Sequence, residues 1–126
     1  MKDITLKNLE AIAPYAGPHE IPGIRFRPAR RALGVTAWGM NVIELDPHCD
    51  LYPEHDHVGD GQEEVYAVLR GSVVLQIGGE EKILSEGDFV RVPPETKRKL
   101  VTRDQGVTVL ALGGKPGAAY VPTIDA

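Results

Sequence analysis

Several features are scarce in this chain of 126 residues, and each scarcity excludes a class of protein. The one cysteine, Cys49, cannot form an intramolecular disulfide, which excludes a secreted scaffold held together by cystines. Apolar runs stay well below the roughly 20 residues that span a bilayer, and residues 1–10 lack the apolar core of a signal peptide. We therefore expect a cytoplasmic protein with no membrane partner.

Positive charge is also scarce. The chain has 14 lysines and arginines against 18 aspartates and glutamates, which gives a formal net charge of −4. Proteins that bind nucleic acid by neutralising phosphates carry an excess or a cluster of basic residues. We therefore expect no nucleic-acid partner.

Glycine and proline, by contrast, are abundant, with 14 and 10 residues respectively. From residue 21 onward they separate short apolar segments, as expected for strands joined by tight turns. The predicted strands cover residues 24–27, 35–45, 64–70, 73–77, 81–84, 89–92, 98–103 and 107–112. Strands of this number and spacing indicate an all-β antiparallel sandwich or barrel. One short helical segment or turn is predicted near the N-terminus, over residues 5–12.

The length of the chain predicts one domain over residues 1–126. Within it we expect an N-terminal segment (1–20), a barrel (21–112) and a C-terminal arm (113–126). The predicted strand 64–69 is apolar on both faces, so its outer face must also be covered. Either a second copy of the chain or the chain's own terminal segments could cover it. The apolar surface and the arm together favour a homodimer.

Residues with metal-binding chemistry concentrate between residues 46 and 64, where three of the four histidines and seven carboxylates occur without a lysine or arginine. In an extended segment His55 and His57 lie on the same face, and Asp56 faces away. Glu64, at the start of the next strand, would complete a set of two histidines and one carboxylate. Such a set suits first-row transition metals and leaves positions open for water or substrate. A pair of surface histidines in an acidic loop is the alternative.

This region resembles the first motif of the cupin family: Gly, five residues, His-x-His, three or four residues, Glu, six residues, Gly. Cys49 takes the position of the first glycine. Five residues separate it from His55 and the His-x-His pair, and six residues separate Glu64 from Gly71. The gap between His57 and Glu64 is six residues, so the resemblance implies a lengthened turn there. It also implies a double-stranded β-helix, that is, a jelly-roll barrel, with the metal inside.

The second cupin motif runs Gly, five residues, Pro-x-Gly, two residues, His, three residues, Asn. Gly87 and Pro93 match its start, but Glu95, Arg98 and Thr102 replace the second glycine, the histidine and the asparagine. The family's fourth metal ligand is thus an arginine, which cannot coordinate a metal because it stays protonated. The chain is identified as a small cupin on these two motifs.

Arg98 separates two interpretations of the site. In the first, His55, His57 and Glu64 hold a divalent transition metal (Zn, Ni, Mn or Fe), and Arg98 binds the anionic group of a small molecule. This arrangement resembles the enzyme branch of the family, which includes dioxygenases and isomerases. In the second, Arg98 pairs with Glu64 and leaves a metal-free pocket for a small ligand. A purely structural or partner-binding barrel is the remaining class.

Strand alternation adds the other candidate substrate-binding residues. Arg98 should enter the barrel together with Leu100 and Thr102. Tyr66 shares the face of the candidate carboxylate ligand on its strand, so it could line the pocket. Gln76 is the one polar residue in the predicted strand 73–77 and is a candidate for the same reason, with an exposed strand edge as the alternative.

Overall fold

The computed structural model describes residues 2–122, which form antiparallel strands connected by short turns. The strands are β1 (Ile24–Arg27), β2 (Gly39–Leu45), β3 (Glu63–Ile77), β4 (Glu80–Ser85), β5 (Phe89–Val92), β6 (Lys99–Val101) and β7 (Val107–Gly114). A 3₁₀ turn at Leu9–Ala11 and the short helix α1 (Ala29–Leu33) precede β2. The prediction of an all-β fold is confirmed. None of the helices within residues 2–122 has the length and apolar character needed to cross a bilayer.

Strand β3 connects two sheets. Its first half pairs with β7 on one side and β5 on the other, and its second half pairs with β4 and β6. Strand β2 lies between β7 and β1. The result is one sheet of order β1-β2-β7-β3-β5 and another of order β4-β3-β6. Residues from both sheets, including Tyr66, Val73, Leu100 and Val109, form the main apolar core.

The predicted turn at Gly71-Ser72 is wrong, because residues 64–70 and 73–77 belong to the single strand β3. The strand pairing shifts register between Val68 and Arg70, and Gly71 has a positive φ of 78°. A bulge of this kind bends a strand without ending it. A side chain at Gly71 would also collide with the carbonyl oxygen of Gly106. Glycine here therefore lets β3 pass from one sheet to the other.

Two predictions near the N-terminus differ from the structure. The helical segment predicted over residues 5–12 is confined to the 3₁₀ turn, which Asn8 caps by accepting a hydrogen bond from the Glu10 amide at 3.0 Å. The strand predicted over residues 35–45 begins only at Gly39, and α1 precedes it. Helix α1 ends at Gly34, whose left-handed φ of 77° allows its N–H to bond back to the helix carbonyls.

The outer face of the β2–β7 region is covered by the chain itself. Ile12, Ala29 and Val42 form a second buried cluster there. Elsewhere the cover is incomplete, since Phe89 is 75% exposed and Trp38 is 48% exposed. The chain's own segments thus bury part of the outer face. An apolar strip that includes Trp38 and Phe89 remains exposed to solvent.

Candidate metal centre

The two histidines lie in the extended segment between β2 and β3. Backbone hydrogen bonds join His55 to Arg98 in both directions, at 3.0 and 2.9 Å, and join the His57 amide to the Pro94 carbonyl at 2.8 Å. These bonds hold the segment straight, so both imidazoles project from the same face. Their ring centroids are 5.2 Å apart.

Glu64, at the start of β3, lies beside the histidines. Its Oε1 is 3.7 Å from Nε2 of His55 and 3.3 Å from Nε2 of His57. One ligand atom from each of the three residues lies within 4.8 Å of the others. The structure therefore brings together the three residues that the sequence selects as metal ligands.

The outer nitrogen of each imidazole is already engaged. Nδ1 of His55 lies 3.1 Å from the carbonyl oxygen of Pro53, and Nδ1 of His57 lies 3.1 Å from both carboxylate oxygens of Asp60. Because these partners only accept hydrogen bonds, each Nδ1 acts as a donor, and each ring turns its Nε2 toward the cluster. Such outer-shell contacts orient histidine for metal binding.

The environment of His57 also suits the binding of a transition metal. Nε2 of His57 is buried and makes no well-aligned hydrogen bond within residues 2–122, although Glu64 Oε1 lies 3.3 Å away. An unpartnered buried nitrogen is unfavourable unless something binds it. The carboxylate of Glu64, and then that of Asp60, raise the pKa of His57 despite the opposing effect of burial. The cluster therefore attracts positive charge.

Glu64 is held as an anion. Burial alone would raise the pKa of Glu64, but interactions with His55, His57 and Tyr66 outweigh it and hold that pKa well below its usual value. The Tyr66 hydroxyl donates a hydrogen bond of 2.8 Å to Oε1 of Glu64. Burial raises the pKa of Tyr66, so this hydroxyl keeps its proton. The carboxylate is thus positioned as an ionised ligand.

Arg98 lies beside Glu64 and is fully buried. Leu100 and Thr102 are buried as well, in agreement with the predicted inward face. Nη2 of Arg98 is 3.4 Å from Oε1 of Glu64, and Nη1 donates a hydrogen bond of 2.9 Å to the Thr96 carbonyl. Nε and Nη2 have no hydrogen-bond partner among the described residues. The guanidinium therefore contributes charge next to the carboxylate.

The cluster opens into two neighbouring cavities, whose shared walls are Phe26, Tyr52, His55 and His57. The inner cavity has a volume of about 190 Å³. Its other lining residues include Asn41, Asp60, Gln62, Glu64 and Tyr120. The outer cavity has a volume of about 410 Å³. Its other lining residues are Tyr15, His19, Glu20, Ile21, Ile24 and Pro53.

The three predicted substrate-binding residues, Arg98, Tyr66 and Gln76, do not line either cavity. Of the described residues, those lining the two cavities include neither Arg98 nor Tyr66, which are both 0% exposed. Gln76 lies in the second half of β3 and donates a hydrogen bond of 2.8 Å to Glu81 in an exposed position. The structure therefore places Arg98 and Tyr66 behind Glu64 and leaves Gln76 outside the site.

Sequence reasoning missed Phe26, Asn41 and Tyr52 as cavity residues. The Tyr52 ring meets the His55 ring edge-on with centroids 5.7 Å apart, and burial raises the pKa of its hydroxyl. Asn41 is a lone polar residue among the apolar residues Met40, Val42 and Ile43. The same signal singled out Gln76, so it could have identified Asn41. Phe26 carried no such signal.

Several solved structures share this fold. A cupin protein from Bacteroides fragilis is 22% identical with a TM-score of 0.73, and the match covers 99% of this chain and 95% of the other. A sugar phosphate isomerase of the cupin superfamily from Silicibacter pomeroyi is 23% identical with a TM-score of 0.76, over 94% and 77% of the two chains. A Cupin 2 conserved barrel domain protein from Salinispora arenicola is 15% identical with a TM-score of 0.68, over 90% of each chain.

No curated protein shows significant sequence similarity to the chain. The model of one protein family, described as the cupin domain, matches residues 41–112. This range contains both predicted motifs and the whole histidine and glutamate cluster. It also covers more than half of the chain, and the jelly-roll barrel of the structural neighbours agrees with it. The chain therefore belongs to the cupin family.

Proposed function

We propose that the protein binds a divalent transition metal (Zn, Ni, Mn or Fe) through His55, His57 and Glu64, and a small anionic molecule beside it. The observation that carries this proposal is the orientation of the imidazoles, since both Nδ1 atoms are occupied and both Nε2 atoms turn toward an ionised carboxylate. When bound, the ion would supply Lewis acidity to a ligand oxygen. Three protein ligands leave coordination positions open for that oxygen.

The preference for an anion follows from the charges around the site. Within the cluster and its direct contacts, a divalent ion and Arg98 would bring three positive charges, whereas Glu64 and Asp60 bring two negative charges. Because the site is partly shielded from water, the remaining positive charge favours a carboxylate or phosphate. In the described conformation Arg98 supports this preference through its charge, and Glu64 lies between it and the histidines.

Turnover at such a site would be of the dioxygenase or isomerase type that the cupin resemblance suggests. The sugar phosphate isomerase among the structural neighbours is an example of an enzyme on this fold. Its identity of 23% supports a shared fold, so we propose only the class of an anionic small-molecule substrate.

A metal-free ligand-binding barrel is the second candidate function, and one observation favours it. Nη2 of Arg98 lies 3.4 Å from Oε1 of Glu64, close enough to neutralise the carboxylate without an ion. A fixed guanidinium at this distance would also repel a dication. In this case a small ligand would still occupy the cavities next to the histidines.

Elemental analysis tests the metal proposal directly. Protein prepared with metals in the medium should contain close to one transition-metal ion per chain, and His55→Ala should lower its affinity for added Zn²⁺ by at least about 100-fold, since a ligand is lost. His48→Ala is the matched control, because this exposed histidine lies outside the cluster. Absence of metal in the wild type, together with equal Zn²⁺ affinity of wild type and His55→Ala, would establish the metal-free alternative.

We also propose a homodimer in the cytoplasm. The open apolar strip around Phe89 and Trp38 supports the dimer. The lone Cys49 is buried as a free thiol, which suits a reducing compartment.

A further inference from the structure

The two cavities differ in chemistry although they share walls. The outer cavity is bounded mainly by apolar side chains, among them Ile21, Ile24 and Phe26. The inner cavity is smaller and its lining is more polar than that of the outer cavity, with Asn41, Gln62 and Glu64 among its side chains. A ligand filling both must combine an apolar body with a compact polar head. Their combined size falls in the range of small-molecule binding sites.

Asn41 indicates which chemical group the polar head of the ligand should contain. Its Oδ1 is shielded from solvent and has no hydrogen-bond partner among residues 2–122. The residue lines the inner cavity on β2, where it pairs with Ala111 of β7, so the backbone of Asn41 is fixed within the sheet. A buried acceptor without a donor is unfavourable, and a donor on the ligand would satisfy it.

The remaining positive charge of the metal-loaded site limits the identity of that donor. An ammonium group would be repelled there, whereas a hydroxyl group is neutral and can donate to Oδ1. The positive charge of the metal-loaded site also favours a carboxylate at the coordination positions that the protein leaves free. A hydroxyl on the carbon next to the carboxylate places both groups within the small inner cavity.

We infer that the two cavities form one site for a 2-hydroxycarboxylate that bears a bulky apolar group. The hydroxyl donates to Asn41, the carboxylate faces the histidine and glutamate cluster, and the apolar group occupies the outer cavity against Phe26 and Tyr52. The position of the carboxylate rests on the proposed metal function, whereas the roles of Asn41 and Phe26 rest on the cavities themselves.

Three small carboxylates test the inference on the unmodified protein. Calorimetric titrations with and without Zn²⁺ would compare 3-phenyllactate with 3-phenylpropanoate, which lacks the hydroxyl, and with lactate, which lacks the ring. We expect 3-phenyllactate to bind about fivefold to tenfold more tightly than 3-phenylpropanoate, and at least about tenfold more tightly than lactate. Equal affinities for all three would overturn the inference.

Two variants assign the preferences to residues. Asn41→Leu should remove the difference between 3-phenyllactate and 3-phenylpropanoate, and Phe26→Ala should bring the affinity for 3-phenyllactate close to that for lactate. Ile83→Ala, a truncation at an exposed apolar residue outside the cavities, should keep the wild-type order. Circular dichroism verifies the fold of each variant. A hydroxyl preference that persists in folded Asn41→Leu would overturn the role of Asn41.

The outcome also distinguishes this inference from the metal proposal. If the protein binds Zn²⁺ but does not discriminate among the three compounds, the metal function stands and the ligand class is wrong. If it binds no metal and still prefers 3-phenyllactate, the cavity assignment stands and the metal function is wrong.

Discussion

At the scale of single residues, the candidate site depends on contacts made by the outer side of each histidine. Asp60 accepts from Nδ1 of His57 and also from the backbone amide of Gln62 at 3.0 Å, so the carboxylate is fixed relative to the loop that carries it. A fixed anion at Nδ1 makes Nε2 a stronger electron-pair donor. The loop between His57 and Glu64, longer than in the family motif, supplies this carboxylate.

The role of Asp60 is testable by charge removal. Asp60→Asn should lower Zn²⁺ affinity by about tenfold or more, because the amide keeps the size of the side chain but loses the charge that polarises His57. Asp56→Asn is the control, since Asp56 lies in the same segment, accepts a hydrogen bond from the Val58 amide and is outside the metal-binding cluster. Competition with a chromogenic chelator measures both affinities. Equal affinity of Asp60→Asn and wild type would contradict this role.

Arg98 gives a second prediction at this scale. Arg98→Met keeps an unbranched side chain and removes the buried charge, so it should raise Zn²⁺ affinity several-fold by ending the repulsion of the ion. It should also lower the thermal stability of the protein before metal is added, because Glu64 loses its counter-charge.

The matched control for Arg98→Met is Arg103→Met, which removes an exposed arginine paired with Glu81. Chelator competition and thermal melting apply to both variants. Unchanged or weaker Zn²⁺ binding by Arg98→Met would show that the guanidinium does not oppose the ion.

At the scale of elements, strands β1 and β2 are joined by a largely buried ion pair. Nε of Arg27 donates to Glu44 Oε1 at 2.6 Å, and Nη1 of Arg27 donates to the Ile12 carbonyl at 3.0 Å. Arg25 adds a longer bond to the same carboxylate at 3.2 Å. Arg27 thereby fastens the N-terminal segment over β2 and β7. Because that segment continues toward the outer cavity, the ion pair also supports the ligand site.

This ion pair predicts a pH-dependent stability. Burial alone would raise the pKa of Glu44, but Arg27 and Arg25 outweigh it and lower that pKa below its usual value. A carboxyl group with a lowered pKa stabilises the fold above its unfolded-state pKa, and this contribution disappears as the pH falls through the folded-state pKa. Glu44→Gln should therefore lower the free energy of unfolding by about 1.5–3 kcal/mol at pH 7.

Urea denaturation at pH 7, 5 and 3 measures this effect. The difference between wild type and Glu44→Gln should be full at pH 7 and shrink toward pH 3, whereas Glu80→Gln, at an exposed position of β4, should differ little at any pH. A difference that stays constant with pH would contradict an ionised Glu44 as its source.

At the scale of the whole molecule, the uncovered apolar strip lies on the sheet that contains β5. Phe89 of β5 pairs with Ala67 of β3. Val65, which lies two residues before Ala67 on β3, pairs with Leu112 of β7. Trp38 lies with Val65 and Leu112 along a shallow groove. Residues paired in this way share one face of the sheet, so the strip lies on one face and is interrupted where Arg91 pairs with Val65 and binds Glu63. A second copy of the chain would remove it from water.

Light scattering tests the proposed dimer. The wild type should have about twice the chain mass of 13.7 kDa at micromolar concentration, and Phe89→Glu should shift the population toward the monomer, since a charge would be buried in the interface. Ile83→Glu is the control, because Ile83 is 62% exposed on the other sheet. A wild type that remains monomeric would remove the dimer from the proposal.

Features that depend on local spacing can be predicted from the amino-acid sequence. The alternation of side chains along a strand places His55 and His57 on one face and directs Arg98 into the barrel. The motif spacing selects Glu64 over its neighbour Glu63. The observed placement of these side chains agrees with the expected one because each depends on a few residues along one extended segment and not on how distant strands meet.

The way in which those segments combine depends on long-range packing and could not be predicted from the sequence. The continuity of β3 through Gly71 depends on strand pairing with β7, which no local pattern shows. Phe26 and Asn41 reach the site because β1 and β2 pack next to it, and Arg98 lies beside Glu64 because its backbone bridges to His55. Residues far apart in the chain share a cavity through the order and register of strands, and that order is set by packing of the whole barrel.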